Sequence, residues 1–293
     1  MPSTPAVRPF LKWAGGKTQL LAPIAAALPR LIDGAYFEPF LGSGAVFFHL
    51  RAAGRLHGPV VLSDANGPLV ETWRAVQSRV GDVVEALAAH RAAHARDPRG
   101  HYYAVRAAEP REPAARAARF IYLNKTCYNG LWRVNRAGRF NVPMGRYRRP
   151  PILDEENLRA AAEALRGVEV LHEPYAPVLR RARRGDAAYL DPPYHPLSRT
   201  ANFTSYTAER FGEEDQEALA DLCAVLAGRG VRFLLSNHDV PMLRSLYRER
   251  GLLMTSVPAR RAINSNPRAR GDVGELLVGT DRNLLLRAKA LGR

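Results

Sequence analysis

Cysteine is nearly absent from this 293-residue chain: Cys127 and Cys223 stand far apart, with no paired spacing. Their scarcity argues against a disulfide framework and against a cysteine-built zinc site. No metal is expected, and a reducing cytoplasm is the simpler setting. Long apolar runs are lacking as well. Met1 to Phe10 holds no apolar h-region, and the most apolar early stretch, Leu20 to Leu28, is short and broken by Pro23. Neither a signal peptide, a transmembrane helix nor a membrane partner is therefore expected. Acidic residues are in short supply, with 28 Asp and Glu against 43 Lys and Arg, a formal charge of +15. Such an excess is the electrostatic footprint of a polyanion partner, and its arginine-rich make-up suits phosphate and guanine contacts. A solvated basic surface would give the same count. Internal repeats and low-complexity tracts are also missing.

What is present is the material of a globular α/β protein, with 46% hydrophobic residues and length for one large domain or two smaller ones. Tyr36-Phe37-Glu38 reads as a strand entering the tight loop Pro39-Phe40-Leu41-Gly42-Ser43-Gly44, and Ala45 to Leu50 opens a helix. Val60 to Ser63 reads as a second strand ending at Asp64. Helical stretches follow at Leu69 to Val76, Val83 to Ala95 and Ala114 to Leu123. From Asn124 to Pro150 the chain turns rich in Asn, Gly, Arg and aromatics, and Val134 to Phe140 fits a hairpin around a glycine turn. A helix over Glu155 to Arg166, stopped by Gly167, leads into a strand at Val168 to Leu171. Ala187 to Leu190 and Val231 to Ser236 read as buried strands separated by an amphipathic helix, Glu213 to Leu226. Leu252 to Val257 and Glu275 to Val278 suit a terminal antiparallel pair. This alternation predicts a largely parallel sheet with helices on both faces. The middle section breaks the alternation and reads as an insert.

Asp191-Pro192-Pro193-Tyr194, directly after an apolar strand, points to chemistry on an amino group of a nucleobase. An exocyclic amine on adenine or cytosine is a poor nucleophile because its lone pair is delocalised into the ring. The Asp191 carboxylate and the Pro192 carbonyl can each accept one amine N–H, turning the lone pair toward an electrophilic methyl group. Two prolines fix φ and remove backbone donors, and Tyr194 offers a flat face for a base to stack on. A stiff turn after a strand is the plainer reading of the same four residues.

Gly42 and Gly44 at a strand-to-helix turn allow close approach of a ligand to the backbone, and Asp64, about 20 residues on, suits ribose hydroxyls. The third glycine of a dinucleotide fingerprint is missing, so S-adenosylmethionine fits better than a nicotinamide cofactor. Lys12 to Thr18 ends in Gly-Lys-Thr, yet Leu11 stands where a P-loop needs glycine and no strand precedes it. In this segment Trp13 suits packing on the cofactor, and Lys17 suits neutralising its carboxylate.

Taken together, Phe10 to Lys17, Glu38 to Gly44, Tyr122-Leu123-Asn124, Tyr128 to Leu131, Phe140 to Pro143 and Gly145-Arg146-Tyr147 make a connected series of motifs. They continue in Asp191 to Tyr194, Pro196 to Ser198, Thr200 to Thr204 and Ser236 to Asp239. The series resembles the DNA adenine methyltransferase family, specifically its GATC-methylating Dam enzymes, over nearly the whole chain. The resemblance implies a Rossmann-like methyltransferase fold, residues 1–66 and 151–293, carrying a mainly helical target-recognition insert, residues 67–150, with a β-hairpin. It implies methyl transfer from S-adenosylmethionine to the 6-amino group of adenine in double-stranded DNA, with S-adenosylhomocysteine as product. The implied protein is monomeric in solution and works at the nucleoid. By family position, Asp191, Pro192 and Tyr194 are catalytic, and Trp13, Lys17, Phe40, Gly42, Gly44, Asp64 and Asp191 hold the cofactor. Lys12, Leu131, Arg133 and Pro143 are implied to read bases, Tyr128 to probe the duplex and Asn129 to bind phosphate. Asn141, Arg146, Ser198 and Asn202 complete the implied DNA contacts. Thr126-Cys127, Trp132 and Met144 depart from the family pattern.

Overall fold

A strand whose every residue is apolar or small needs cover on both faces, and two such strands set the architecture here. The computed structural model describes residues 7–13, 17–135, 137–194, 211–258 and 274–292. After a 3-10 turn at Lys17–Leu20 come helix α1 (Leu21–Ala26), strand β1 (Tyr36–Glu38), α2 (Ala45–Ala52) and β2 (Val60–Ser63). Three helices follow, α3 (Gly67–Arg96), α4 (Pro98–Ala107) and α5 (Pro113–Thr126), and then a 3-10 turn at Tyr128–Gly130. The chain returns through α6 (Glu155–Ala164), β3 (Glu169–Leu171), α7 (Tyr175–Arg180), β4 (Ala187–Leu190) and α8 (Glu213–Gly228). It closes with β5 (Arg232–His238), α9 (Pro241–Glu249), β6 (Leu253–Val257), β7 (Glu275–Gly279) and α10 (Arg282–Leu291).

The seven strands form one sheet in the order β3-β2-β1-β4-β5-β7-β6. The first five are parallel, while β7 runs antiparallel to both β5 and β6. This is the mostly parallel methyltransferase-type sheet that the sequence predicts, including its terminal antiparallel pair. Alternate residues feed alternate cores. Tyr36, Leu62, Tyr189, Leu234 and Leu277 pack with Ile24, Phe47, Trp73 and Ile121 on one face. Phe37, Val61, Ala188, Leu190 and Leu235 pack with Leu179, Leu219, Leu226 and Tyr247 on the other.

The structure corrects several details. The stretches predicted at Leu69–Val76 and Val83–Ala95 are the two helical arms of α3, which meet at Arg79, where the backbone leaves helical values (φ −140°, ψ 37°). The hairpin exists as one antiparallel bridge, Val134 to Phe140, flanked by the bonds Asn135 N–H to Arg139 O and Asn141 N–H to Arg133 O. Among the described residues it does not extend into strands. Helices α1, α4, α7, α9 and α10, of six to ten residues each, are absent from the sequence prediction, although α9 buries the apolar i, i+3, i+4 set Leu243, Leu246 and Tyr247.

The order reverses between β1 and β4, so the chain leaves these neighbours in opposite directions and opens a crevice at their carboxyl ends. Two features hold the loop beside that crevice. Glu38, 2% exposed, accepts the Tyr36 hydroxyl at 2.6 Å and the backbone N–H of Phe47, so its carboxyl spans the loop and caps α2. Burial, reinforced by the charge of Asp191, pushes its pKa up to about 8. Trp73, fully buried, stacks on Phe48 at 5.4 Å and donates its indole N–H to Gly42 O at 3.2 Å.

Two expectations follow from these contacts. Gly44 has φ +63°, and a Cβ there would lie 2.4 Å from the Trp73 ring, whereas Gly54, at φ +64°, has open space. Gly54→Ala should cost about 1–2 kcal/mol for the left-handed backbone, and Gly44→Ala should add about 1–3 kcal/mol of overpacking. Equal losses in denaturant titrations would show that Trp73 does not enforce the glycine. For Glu38, the native pKa lies above the ordinary 4.5, so the native state holds the proton more tightly than the unfolded chain. Its contribution to stability is complete below pH 4.5 and declines as pH rises through about 8. Unfolding free energy measured across that window should fall less steeply in Glu38→Gln than in the wild type.

Candidate functional site

Parallel strands end at one edge, so residues distant in sequence meet there. Asp191 follows β4, Ser236 lies on β5, Glu275 opens β7, and Lys17 enters from the first 3-10 turn. The Lys17 ammonium, 5% exposed, lies 2.8 Å from Asp191 Oδ1 and 3.8 Å from Glu275 Oε1. The Ser236 hydroxyl donates to Asp191 Oδ1 at 3.1 Å and shares a 2.9 Å hydrogen bond with the Tyr189 hydroxyl. Asp191 is thus held from two sides and remains partly exposed.

Tyr194 is fixed at its tip and around its ring. Its hydroxyl donates to Glu275 Oε1, the Lys17 ammonium lies 4.5 Å from the ring centroid, and the His238 ring meets it edge-on at 4.4 Å. Burial, with the charges of Asp191 and Glu275, drives its pKa well above the ordinary value, so the phenol stays a donor. Behind the prolines, the buried Gln216 amide donates to Pro193 O at 3.0 Å and accepts from Asn237 Nδ2 at 3.1 Å. Glu275, Gln216 and Trp73 are absent from the sequence-based site. The one available signal was a charged residue opening the otherwise apolar strand Glu275–Gly279.

On the neighbouring side of the crevice, Asp64 Oδ2 accepts Gly42 N–H at 3.0 Å and Oδ1 accepts Asn66 N–H at 2.9 Å. Burial raises its pKa, and the amides of Gly42, Asn66 and Ala65 oppose that rise by stabilising the ionised form. Trp13 lies directly against the loop, since a Cβ on Gly42 would approach its Cδ1 to 2.7 Å. Phe40 stacks on Tyr175 at 5.3 Å and meets Phe211 edge-on at 6.0 Å, and so belongs to the opposite core as much as to the crevice. An aromatic wall, a glycine backbone at positive φ and a half-buried carboxylate at the end of β2 are groups that could hold a nucleoside. Among the described residues no cluster of three or more His, Cys, Asp or Glu could hold a metal ion, and no helix is long and apolar enough to cross a membrane.

The predicted DNA contacts gather on a second feature. Segments 127–134 and 140–144 run antiparallel, bridged at Cys127 to Met144 and at Val134 to Phe140. Tyr128, Asn129, Arg133, Pro143 and Arg146 are exposed on it, with Leu131 and Asn141 half-buried. Asn129 holds a left-handed backbone at φ 55°, and Arg133 Nε donates to Asn141 Oδ1 at 2.8 Å. Beneath them Trp132 is buried and stacks on Phe120 at 3.8 Å, and Phe120 faces Trp13 at 6.3 Å. Thr126 and Cys127 are buried too, so these departures from the family pattern, with Trp132, lie under the surface rather than on it. Asn124 ties the segment to the N-terminus by accepting Lys12 N–H at 2.8 Å and donating to Lys12 O at 2.7 Å and Gly130 O at 3.1 Å. The Lys12 ammonium lies 4.1 Å from the Tyr147 ring centroid. Ser198 and Asn202 lie outside the described residues.

Comparison with known proteins agrees with this geometry. Residues 13–263 match the family described as D12 class N6 adenine-specific DNA methyltransferase. The chain is 40% identical to the type II methyltransferase M.MjaIII of Methanocaldococcus jannaschii, over 93% of this chain and 98% of that protein. It is 39% identical to a DNA adenine methylase of Serratia marcescens, over 92% and 97% of the two chains. A DNA adenine methylase of Escherichia coli strain K12 is 38% identical, over 92% and 94%. With a bonded Asp-Pro-Pro-Tyr tetrad at the sheet's switch point and matches of this extent, the chain belongs to the D12 class of N6 adenine-specific DNA methyltransferases.

Proposed function

We propose that this enzyme transfers the methyl group of S-adenosylmethionine to the 6-amino group of adenine within GATC in duplex DNA, after flipping that adenine out of the helix. The observation that carries the reading is where Lys12 and Lys17 lie. Lys12 is clamped by Asn124 beside the exposed hairpin, and five residues later Lys17 pairs with Asp191 at the crevice. Target reading and chemistry are thereby joined through covalent chain, and residues 67–150 take the part of the target-recognition unit.

Bound at the crevice, the donor supplies an electrophilic methyl on a sulfonium. The protein's part is orientation. Asp64 accepts ribose hydroxyls, and Trp13, Phe40, Gly42 and Gly44 line the adenosine side. Lys17 has three N–H donors, so holding Asp191 is compatible with a further bond to the carboxylate of the donor. Tyr194 stacks on the flipped base. Asp191 and the Pro192 carbonyl accept the two amine hydrogens, holding the nitrogen lone pair out of the ring plane. On the duplex, Arg133 forks onto a guanine edge, Leu131 and Pro143 touch a thymine methyl, and Lys12 reads a base edge. Tyr128, Asn129, Asn141 and Arg146 engage the strands around the target. The basic excess supplies affinity that does not depend on sequence.

Mapping methylated adenines in DNA from cells expressing the protein should place them in GATC. The Asp191→Ala enzyme should leave that DNA unmodified and lower turnover at least about a hundredfold in a radiolabelled transfer assay. A tenth of wild-type turnover, a barrier change of only about 1.4 kcal/mol, would remove Asp191 from catalysis.

Arg133→Ala separates reading from holding. A base contact should cost about 1–3 kcal/mol on GATC and relax discrimination at one position, whereas a phosphate contact weakens all sequences alike and lowers the salt slope by about one. Rates on GATC and on its single-base variants, over a range of salt, distinguish the two. Uniform loss assigns Arg133 to the backbone.

A further inference from the structure

We propose that Glu275 is a positioning residue for base flipping: through the phenol of Tyr194 it locks the ring in the attitude in which a flipped adenine stacks. The proposal rests on the reading of Tyr194 as the stacking face. Glu275 is 5% exposed and opens β7, where it is paired in register with His238 of β5 and Val257 of β6. Ladders on both sides make its Cα one of the more rigid points at the carboxyl edge of the sheet. Tyr194, by contrast, follows Pro193 on a loop. A ring carried by a loop has two side-chain torsions to lose, and anchoring its tip to the sheet removes both before DNA arrives. The Tyr194 hydroxyl donates to Glu275 Oε1, and Lys17, 3.8 Å from the same oxygen and 4.5 Å from the ring centroid, completes the clamp. His238, directly across from Glu275, packs roughly perpendicular to the ring, with centroids 4.4 Å apart.

A merely structural role for Glu275, as counter-charge to Lys17, makes different demands. It needs the charge and is indifferent to the phenol. Positioning needs an acceptor for the phenol and tolerates a neutral one. The test uses full-length enzyme and a GATC duplex with 2-aminopurine at the target position, whose fluorescence rises when the base leaves the stack, beside kcat and KM on the same duplex with adenine there, and cofactor affinity. Glu275→Ala and Tyr194→Phe should each lower the flipping signal and reduce kcat by about tenfold, leaving cofactor affinity within about twofold. The double variant should be no worse than the worse single one, because both remove the same bond. Glu275→Gln should restore most of the signal. Additive losses in the double variant, or a Gln variant as impaired as the Ala variant, would overturn the proposal. Should Glu275→Ala fail to fold, Tyr194→Phe decides alone, since it breaks the bond while leaving Glu275 beside Lys17; full signal and kcat there also overturn it. Tyr194→Ala separates the two levels of inference. If it leaves flipping intact, the stacking role falls and Glu275 positioning with it; if it abolishes flipping while Tyr194→Phe and Glu275→Ala do not, only the Glu275 proposal fails.

Discussion

A lysine ammonium taken out of water must find negative charge close by, and that constraint organises the carboxyl edge of this sheet. Lys17 is 5% exposed and has Asp191 at 2.8 Å and Glu275 at 3.8 Å. Leaving Lys17 or Glu275 without its partners would strand a buried charge at a cost of several kcal/mol. The ion cluster therefore ties the N-terminal segment, the end of β4 and the start of β7 to one another. Each brings a further group: Trp13 against the glycine loop, the Asp-Pro-Pro-Tyr tetrad, and the acceptor for the Tyr194 phenol.

Around this cluster the sheet changes from apolar to polar along its strands. Tyr36, Tyr189 and Leu234 are buried among hydrophobic residues, while Glu38, Asp191 and Ser236, each two positions further along and on the same face, are hydrogen-bonded. Period-two alternation keeps them on one side of the sheet, and parallel pairing brings them to the same edge. The glycine loop is gripped between Trp13, against Gly42, and Trp73, against Gly44. From Trp13 an aromatic series runs through Phe120 to Trp132 and Phe140 beneath the hairpin, so the glycine loop and the exposed hairpin share a continuous packed base. Within a close-packed interior a volume change at one end of such a series is felt at the other.

Much of this was legible in the residues themselves. All seven strands were readable because apolar runs bounded by Gly, Pro and Asp survive any tertiary context, and the terminal pair was recognisable by the same signal. Short helices such as α7 and α9 were not, because six to nine residues give an apolar face of only one or two turns. The two helical stretches read on either side of Arg79 are the two arms of α3, which break at that residue. At the site, Asp64 and Asp191 stood out as acids directly following apolar strands, and the Gly42 to Gly44 loop by its residue types.

What the sequence alone determined is thus the alternation of strands and helices, the positions of the acids at strand ends and the chemistry open to Asp191-Pro192-Pro193-Tyr194, because these depend on local pattern and functional groups. Only the tertiary structure decided which partners those groups meet. Glu275 joins Tyr194 across 81 positions of chain, and Trp73 meets the glycine loop across 31. Such contacts follow from strand order and from which face a residue occupies, and an antiparallel strand seated beside β5 is a property of the folded sheet that no local pattern carries.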